Sequence, residues 1–140
     1  MKKMILITVL LLIGFTVLFM YREYSREVES ATASNPDFRT DTKALVSEFS
    51  SNDGYALAKY SGKLIEVSGA VSSTESNSQP VIIMGSDPQI KIRCVFDELN
   101  DLPAIGSSVV IRGYCTGFNK DELIGSDIMM NRCAIIKSSP

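Results

Sequence analysis

The chain of 140 residues predicts a mainly β protein: a five-stranded closed barrel, preceded by a short helical segment and carried behind an N-terminal transmembrane helix. Three observations lead there. A charge-free apolar block, Met4 to Met20, stands near the start. Apolar residues recur at helical spacing between Asp41 and Tyr60, and after Gly62 their period shortens to two, the mark of half-buried strands. The length leaves material for a single core once the block and a linker are set aside. The expected division is 1–21 for the membrane anchor, 22–40 for the linker and 41–137 for the barrel domain.

The block reads MILITVLLLIGFTVLFM and is extended by Tyr21, near the short end of what crosses a hydrocarbon layer of about 30 Å. It fits either an uncleaved signal anchor or a cleaved signal peptide. The one good small-x-small site, Ala31-Thr32-Ala33, lies well past the apolar run, and Tyr21-Arg22-Glu23-Tyr24 is too bulky and charged to be cut. That favours the anchor. With no cysteine before Cys94 to carry a lipid, a lipoprotein is disfavoured. Lys2 and Lys3 precede the run and Arg22 and Arg26 follow it. A short basic start before an apolar run is the export pattern, so the expectation is a single-pass protein of the cell membrane, N-terminus in, with the C-terminal domain extracytoplasmic, in a periplasm where there is one.

The polar linker ends at Asn35-Pro36, which opposes helix and favours a turn. Asp41 or Thr42 can cap a helix running through Ser50, with Ala44, Leu45 and Phe49 on one face. Asn52 or Asp53 can cap a second through Tyr60, with Ala56 and Tyr60 at i, i+4. Alternation then places strands over Leu64 to Ser73, Val81 to Met84, Ile90 to Phe96, Val109 to Cys115 and Ile128 to Ile136, separated by segments rich in Gly, Pro, Asn and Asp. Phe49, Ile65, Val67, Ile92, Phe96, Val109, Ile111 and Ile128 are the expected core. Five strands are too few for an immunoglobulin-like sandwich, and Gly69 and Gly113 within strands suggest the coiling of a small barrel. Ile128 and Met130 fall on one parity and Cys133 and Ile135 on the other, which a β-bulge near Asn131 would reconcile.

The segments Tyr60-x-Gly62-Lys63, Gly69-x-Val71, Cys94-x-Phe96, Gly113-x-Cys115-x-Gly117 and Asp127-Ile128-x-Met130-x-x-Cys133, spread over Ala44 to Ile136, resemble the transfer-RNA-anticodon-like group of bacterial OB-fold domains. The segment Asn119 to Ser126 is longer than that pattern, and a transmembrane anchor replaces the lipoprotein signal of some relatives. The resemblance implies an OB-type barrel. It implies no activity, because a shared fold does not carry a shared ligand.

In such a barrel the fourth and fifth strands pair, which would bring Cys115 and Cys133 together as a disulfide in an oxidising compartment. The competing reading is buried free thiols packing as small hydrophobes. No C-x-x-C spacing supports a redox or zinc motif, and Cys94 shares its face with Ile92 and Phe96, so no metal site is expected. Lys91 and Arg93 take the outward parity of the third strand, where OB folds usually bind, and Tyr114, Phe118 and Lys120 lie on or beside the loop joining strands four and five. These five are the candidate ligand-binding residues. Lysine and arginine on an outward strand face are more often plain solvated charge.

The chain has no histidine, which removes Ser-His-Asp and Cys-His pairs. No catalytic residue, cofactor or enzymatic activity is expected. From Asp37 onward ten Lys and Arg stand against thirteen Asp and Glu, a net charge of −3, where a dedicated nucleic-acid binder carries a basic stripe. The leading expectation is a binding or interaction module for an envelope protein or polymer, anchored through Met4 to Tyr21. The alternative is nucleic-acid or oligosaccharide binding on the barrel face.

Overall fold

A computed structural model describes residues 1–24 and 31–140, which fall into two compact units, Met1–Ser30 and Ala31–Pro140. In the first, helix α1 (Lys2–Tyr24) gathers the apolar block. Its span Lys2–Arg22 has a mean hydropathy of 2.6 and every side chain in it is exposed. At about 1.5 Å per residue the helix is long enough to cross a hydrocarbon layer of about 30 Å. Residues 25–30 of the expected linker lie outside the described residues.

The second unit begins with strand β1 (Phe38–Asp41), in what the sequence presents as the end of the linker. Asp41 caps helix α2 (Thr42–Ser51), its carboxylate accepting from Ala44 N at 2.9 Å. Asn52 caps helix α3 (Asp53–Tyr60) by accepting from Tyr55 N at 3.0 Å. Such caps satisfy backbone donors that a helix start leaves unpaired. Leu45, Val46 and Phe49 turn inward from α2, and Ala56 and Tyr60 from α3. Ala44, expected on that face, is exposed. After α3 the chain reverses at Gly62, whose φ of 71° suits glycine, and its N–H donates to Cys115 O at 2.8 Å.

The remaining strands are β2 (Leu64–Ser76), β3 (Pro80–Met84), β4 (Ile90–Val95), β5 (Ser108–Asn119) and β6 (Ser126–Ser139). Their order is β1-β2-β3-β4-β6-β5. The antiparallel ladder from Leu64↔Tyr114 to Ala70↔Ser108 joins β5 back to β2 and closes a barrel of five strands. β1 lies outside the cycle, parallel to β2 from Phe38↔Ile65 to Asp41↔Ser68. All eight expected core residues are buried. Phe49 and Tyr60 stack at 6.2 Å, and Phe38 meets Tyr60 edge-on at 5.1 Å, so β1, α2 and α3 seal the barrel through one aromatic row. Each fully buried large side chain contributes roughly 2 kcal/mol.

The glycines inside strands mark close approach. A Cβ at Gly69 would collide with Thr42 Cγ2, where α2 begins against β2, and one at Gly113 would meet Cys133 Sγ at 2.6 Å. The bulge expected near Asn131 is present. Tyr114 faces Asn131 and Arg112 faces Ala134, so β6 takes three steps where β5 takes two, and Arg132 adopts a φ of 52°.

This register does not bring Cys115 and Cys133 opposite each other. Cys115 pairs with Met130, whereas Cys133 stands over Gly113, and all three cysteines are free and buried. Three shifts along the β5–β6 ladder displace the alignment that uniform alternation would give.

Candidate ligand-binding cleft

The outward face of β4 carries Lys91, exposed, and Arg93, half-buried. Arg93 is enclosed by two acids: Glu75 of β2, on the far side of β3, at 3.0 Å and Asp127 of the adjacent β6 at 3.6 Å. Lys91 has no ion-pair partner among the described residues. Tyr114 sits half-buried in the middle of β5, on the same outward parity as Arg112 and away from the loop that follows. Phe118 also lies within β5. A register shift between Cys115 and Gly117 sets it opposite the buried Ile128, and its ring packs on Phe49 at 5.1 Å. It therefore belongs partly to the core. Lys120 begins the loop and reaches across to Asp53 at the start of α3, 3.2 Å away.

The five residues read from the sequence are thus not gathered in one place. Phe118 and Lys120 line a cleft of about 720 Å³ between the α2–α3 junction, the β3–β4 loop and the β5–β6 loop. Asp121 shapes the last wall, accepting through Oδ1 from Leu123 N at 2.8 Å and Ile124 N at 3.2 Å. Its carbonyl accepts from Gly125 N at 3.1 Å, where φ is 99°. This turn holds two adjacent apolar side chains in solvent, Leu123 at 95% and Ile124 at 83% exposed. On the opposite wall Asp87 Oδ1 accepts from Gln89 N and Ile90 N at 2.8 and 2.9 Å. Composition within the long segment Asn119 to Ser126 was the available signal for this wall, and its apolar pair Leu123-Ile124 is what the outward-strand argument passed over.

Lys120 and Asp53 pair across the cleft, whose lining also carries the acids Asp87, Asp121 and Glu122. The Lys120 ammonium, then the Gly54 N–H, hold the exposed Asp53 carboxyl below its ordinary range. On the far side of α3, Lys59 donates to Glu48 at 2.8 Å and lies over the Tyr60 ring at 4.7 Å. The Lys59 hydrogen bond lowers the Glu48 pKa against the effect of burial, and the same bond raises Lys59. Burial pushes the Tyr60 hydroxyl up.

A second constellation that sequence reading passed over lies on the outward face of β5. Arg112 Nε donates to Glu66 Oε2 at 3.0 Å, and its Nη1 donates to the carbonyls of Ser34 at 2.8 Å and Ala31 at 3.3 Å. The Arg112 side chain is only 11% exposed. The segment 31–34, which includes the small-residue site of the linker, is thereby bound to the barrel wall.

The cleft offers an apolar rim, aromatic floor and polar walls, an arrangement suited to binding. A sequence model of the tRNA_anti-like family matches residues 1–128. Among solved structures, the barrel resembles a lipoprotein from Klebsiella pneumoniae subsp. pneumoniae that is described as a candidate nucleic acid binder. That likeness has a TM-score of 0.54 and 17% identity, covering 70% of this chain and 91% of the other. At that identity the likeness establishes the fold. No curated protein matches the chain.

Proposed function

The chain belongs to the tRNA_anti-like family, and from that premise we propose that it is a membrane-anchored interaction module. Helix α1 holds it in the cell membrane with its N-terminus in, and the OB-type barrel is displayed outside the cytoplasm, where it binds an envelope protein through the cleft bordered by Leu123 and Ile124. The observation that carries this reading is the neutralisation of the strand face. Arg93 is held by Glu75 and Asp127 and Lys120 by Asp53, which leaves little positive charge to meet phosphates. The exposed apolar pair at the cleft rim is, by contrast, the kind of surface feature that marks contact with another protein. Catalysis is not part of the proposal.

The test is a photo-crosslinking amino acid placed at position 123 or at Lys137, in intact cells. A discrete crosslinked protein from position 123, absent from position 137, supports the reading; equal or no crosslinking at both removes it.

One observation favours a second reading. The Klebsiella neighbour is described as a candidate nucleic acid binder, and here Lys91 stands exposed on the matching type of surface. Single-stranded oligonucleotide binding that weakens steeply with salt and is lost in Lys91→Glu would establish it. No such binding at low salt would set it aside.

A further inference from the structure

Charge is unevenly spread over the barrel unit. Four acids, Asp53, Asp87, Asp121 and Glu122, line the cleft between the α2–α3 junction and the two loops, against one base, Lys120. The lining therefore holds three negative charges in surplus, which equals the whole net side-chain charge of −3 from Asp37 onward. Elsewhere nine acids and nine bases cancel. The surplus lies where apolar side chains also stand in solvent, since Glu122 is exposed, makes no ion pair among the described residues and directly precedes Leu123 and Ile124. Asp87 and Asp121 each use one carboxylate oxygen on backbone N–H groups of their own loops. The two loops are joined where Ser126 N donates to Gln89 O at 2.7 Å, and Gly125 approaches that carbonyl so closely that a Cβ would stand 3.0 Å from it. Backbone thus ties the apolar rim to the acid on the opposite wall.

We infer that the cleft receives a segment of a partner protein in which lysine or arginine flanks a large apolar side chain. The inference rests on the reading of the cleft as a protein-binding site given above and adds the chemistry of what enters it. The apolar side chain of the segment would lie against Leu123, Ile124 and the Phe118 ring, and its cations would face the surplus acids. A single exposed ion pair contributes little to binding. Here several acids share one opening, which raises their combined field, and docking on the rim removes water from around them.

Charge also selects among the other occupants that an exposed apolar pair could attract. A second copy docking through the same face would set acid against acid. A bilayer surface rich in anionic lipid, or a nucleic-acid backbone, would meet the same repulsion. Of these occupants only a cationic, partly apolar segment suits both the rim and the walls.

The test offers full-length protein, held in detergent on a solid support, a phage-displayed library of random dodecapeptides at low salt. Enriched peptides should carry Lys or Arg beside Leu, Ile, Phe or Met. The most enriched peptide, made synthetically, should bind Glu122→Lys protein about tenfold more weakly than the parent and Glu122→Gln protein about threefold more weakly. Its affinity should also fall as salt shortens the range of the attraction. Glu122 is exposed, so neither substitution should move the urea midpoint. Enrichment of neutral or acidic peptides, no enrichment, or equal binding to Glu122→Lys protein overturns the inference. Photo-crosslinking from position 123 in cells keeps the two readings apart. A discrete adduct that disappears in Glu122→Lys supports both, and one that persists upholds binding at the cleft and overturns the charge preference. Basic peptides enriched without any adduct in cells uphold the preference and count against an envelope protein as the partner.

Discussion

Gly113 lies directly beneath Cys133: a Cβ added to the glycine would stand 2.6 Å from the sulfur and 3.3 Å from both the Cys133 Cα and the Asn131 carbonyl oxygen. The sulfur could swing aside, but the backbone atoms could not without disturbing the bulge. Gly113→Ala should therefore destabilise the barrel by about 1–3 kcal/mol, the usual cost of overpacking. Urea denaturation of the reduced protein measures it. Adding Cys133→Ala should recover part of the loss, since the two sites are in contact and their effects should not add.

Arg112 should matter more to stability than its place on the outer wall suggests. Its guanidinium serves Glu66 and the carbonyls of Ala31 and Ser34 at once. Arg112→Met removes the cation from a nearly buried pair, with an expected loss of roughly 2–4 kcal/mol. It should also free residues 31–34, so limited proteolysis there should accelerate at protease concentrations that leave the parent protein intact. Equal cleavage rates would show that the segment is held by something else.

Alkaline pH should loosen the reduced protein. Burial raises the pKa of Cys115 above 9.0 and that of Tyr60 above 10.0, and Cys133 moves the same way. The unfolded chain thus releases these protons at lower pH than the folded one, so their contribution is complete below about pH 9 and declines as pH rises through the raised values. The urea midpoint should fall as pH rises past about 9. Cys115→Ala should flatten part of that decline, and an unchanged slope would assign it to other groups.

The membrane placement predicts that protease added to spheroplasts digests the barrel domain while leaving α1 in the bilayer. Full-length protein should remain with the membrane fraction after carbonate washing. Protection until lysis would reverse the orientation, and a mature N-terminus at Ser34 would show cleavage after Ala33.

Much of the barrel is legible because its determinants are local. Asp41 and Asn52 announce their helices by capping chemistry, and two-residue periodicity marks each barrel strand and its inward side chains. What escaped depends on partners distant in the chain. The residues Phe38–Asp41 show no strand pattern of their own; they are extended because β2 lies alongside, with the Asp37 carboxylate accepting from Leu64 N at 2.9 Å. Cys115 and Cys133 stand out of register for a different reason. Each shift in the β5–β6 ladder moves the register and can change the face that follows, which is also why Phe118 points into the core. A bulge can be suspected from parity, as near Asn131, but three on one ladder cannot be summed without the partner strand. Arg112 and Glu66 share outward parity in the sequence, yet their role as a clasp rests on a linker whose path is set by the fold.

Among the described residues, each barrel strand pairs with a neighbour on both sides for at least part of its length, whereas β1 pairs only with β2 and leaves its other edge open. That edge is four residues long, carries the exposed charges of Arg39 and Asp41, and follows Pro36 closely. Proteins anchored in a bilayer meet their own copies in two dimensions, a crowded setting in which a long bare strand would template polymers. So short and charged an edge gives a second copy almost no ladder to extend. If the chain sits in a membrane as proposed, copies sharing that membrane would find in β1 almost no ladder along which to zip together, and a partner reaching this edge would have to read it by its side chains.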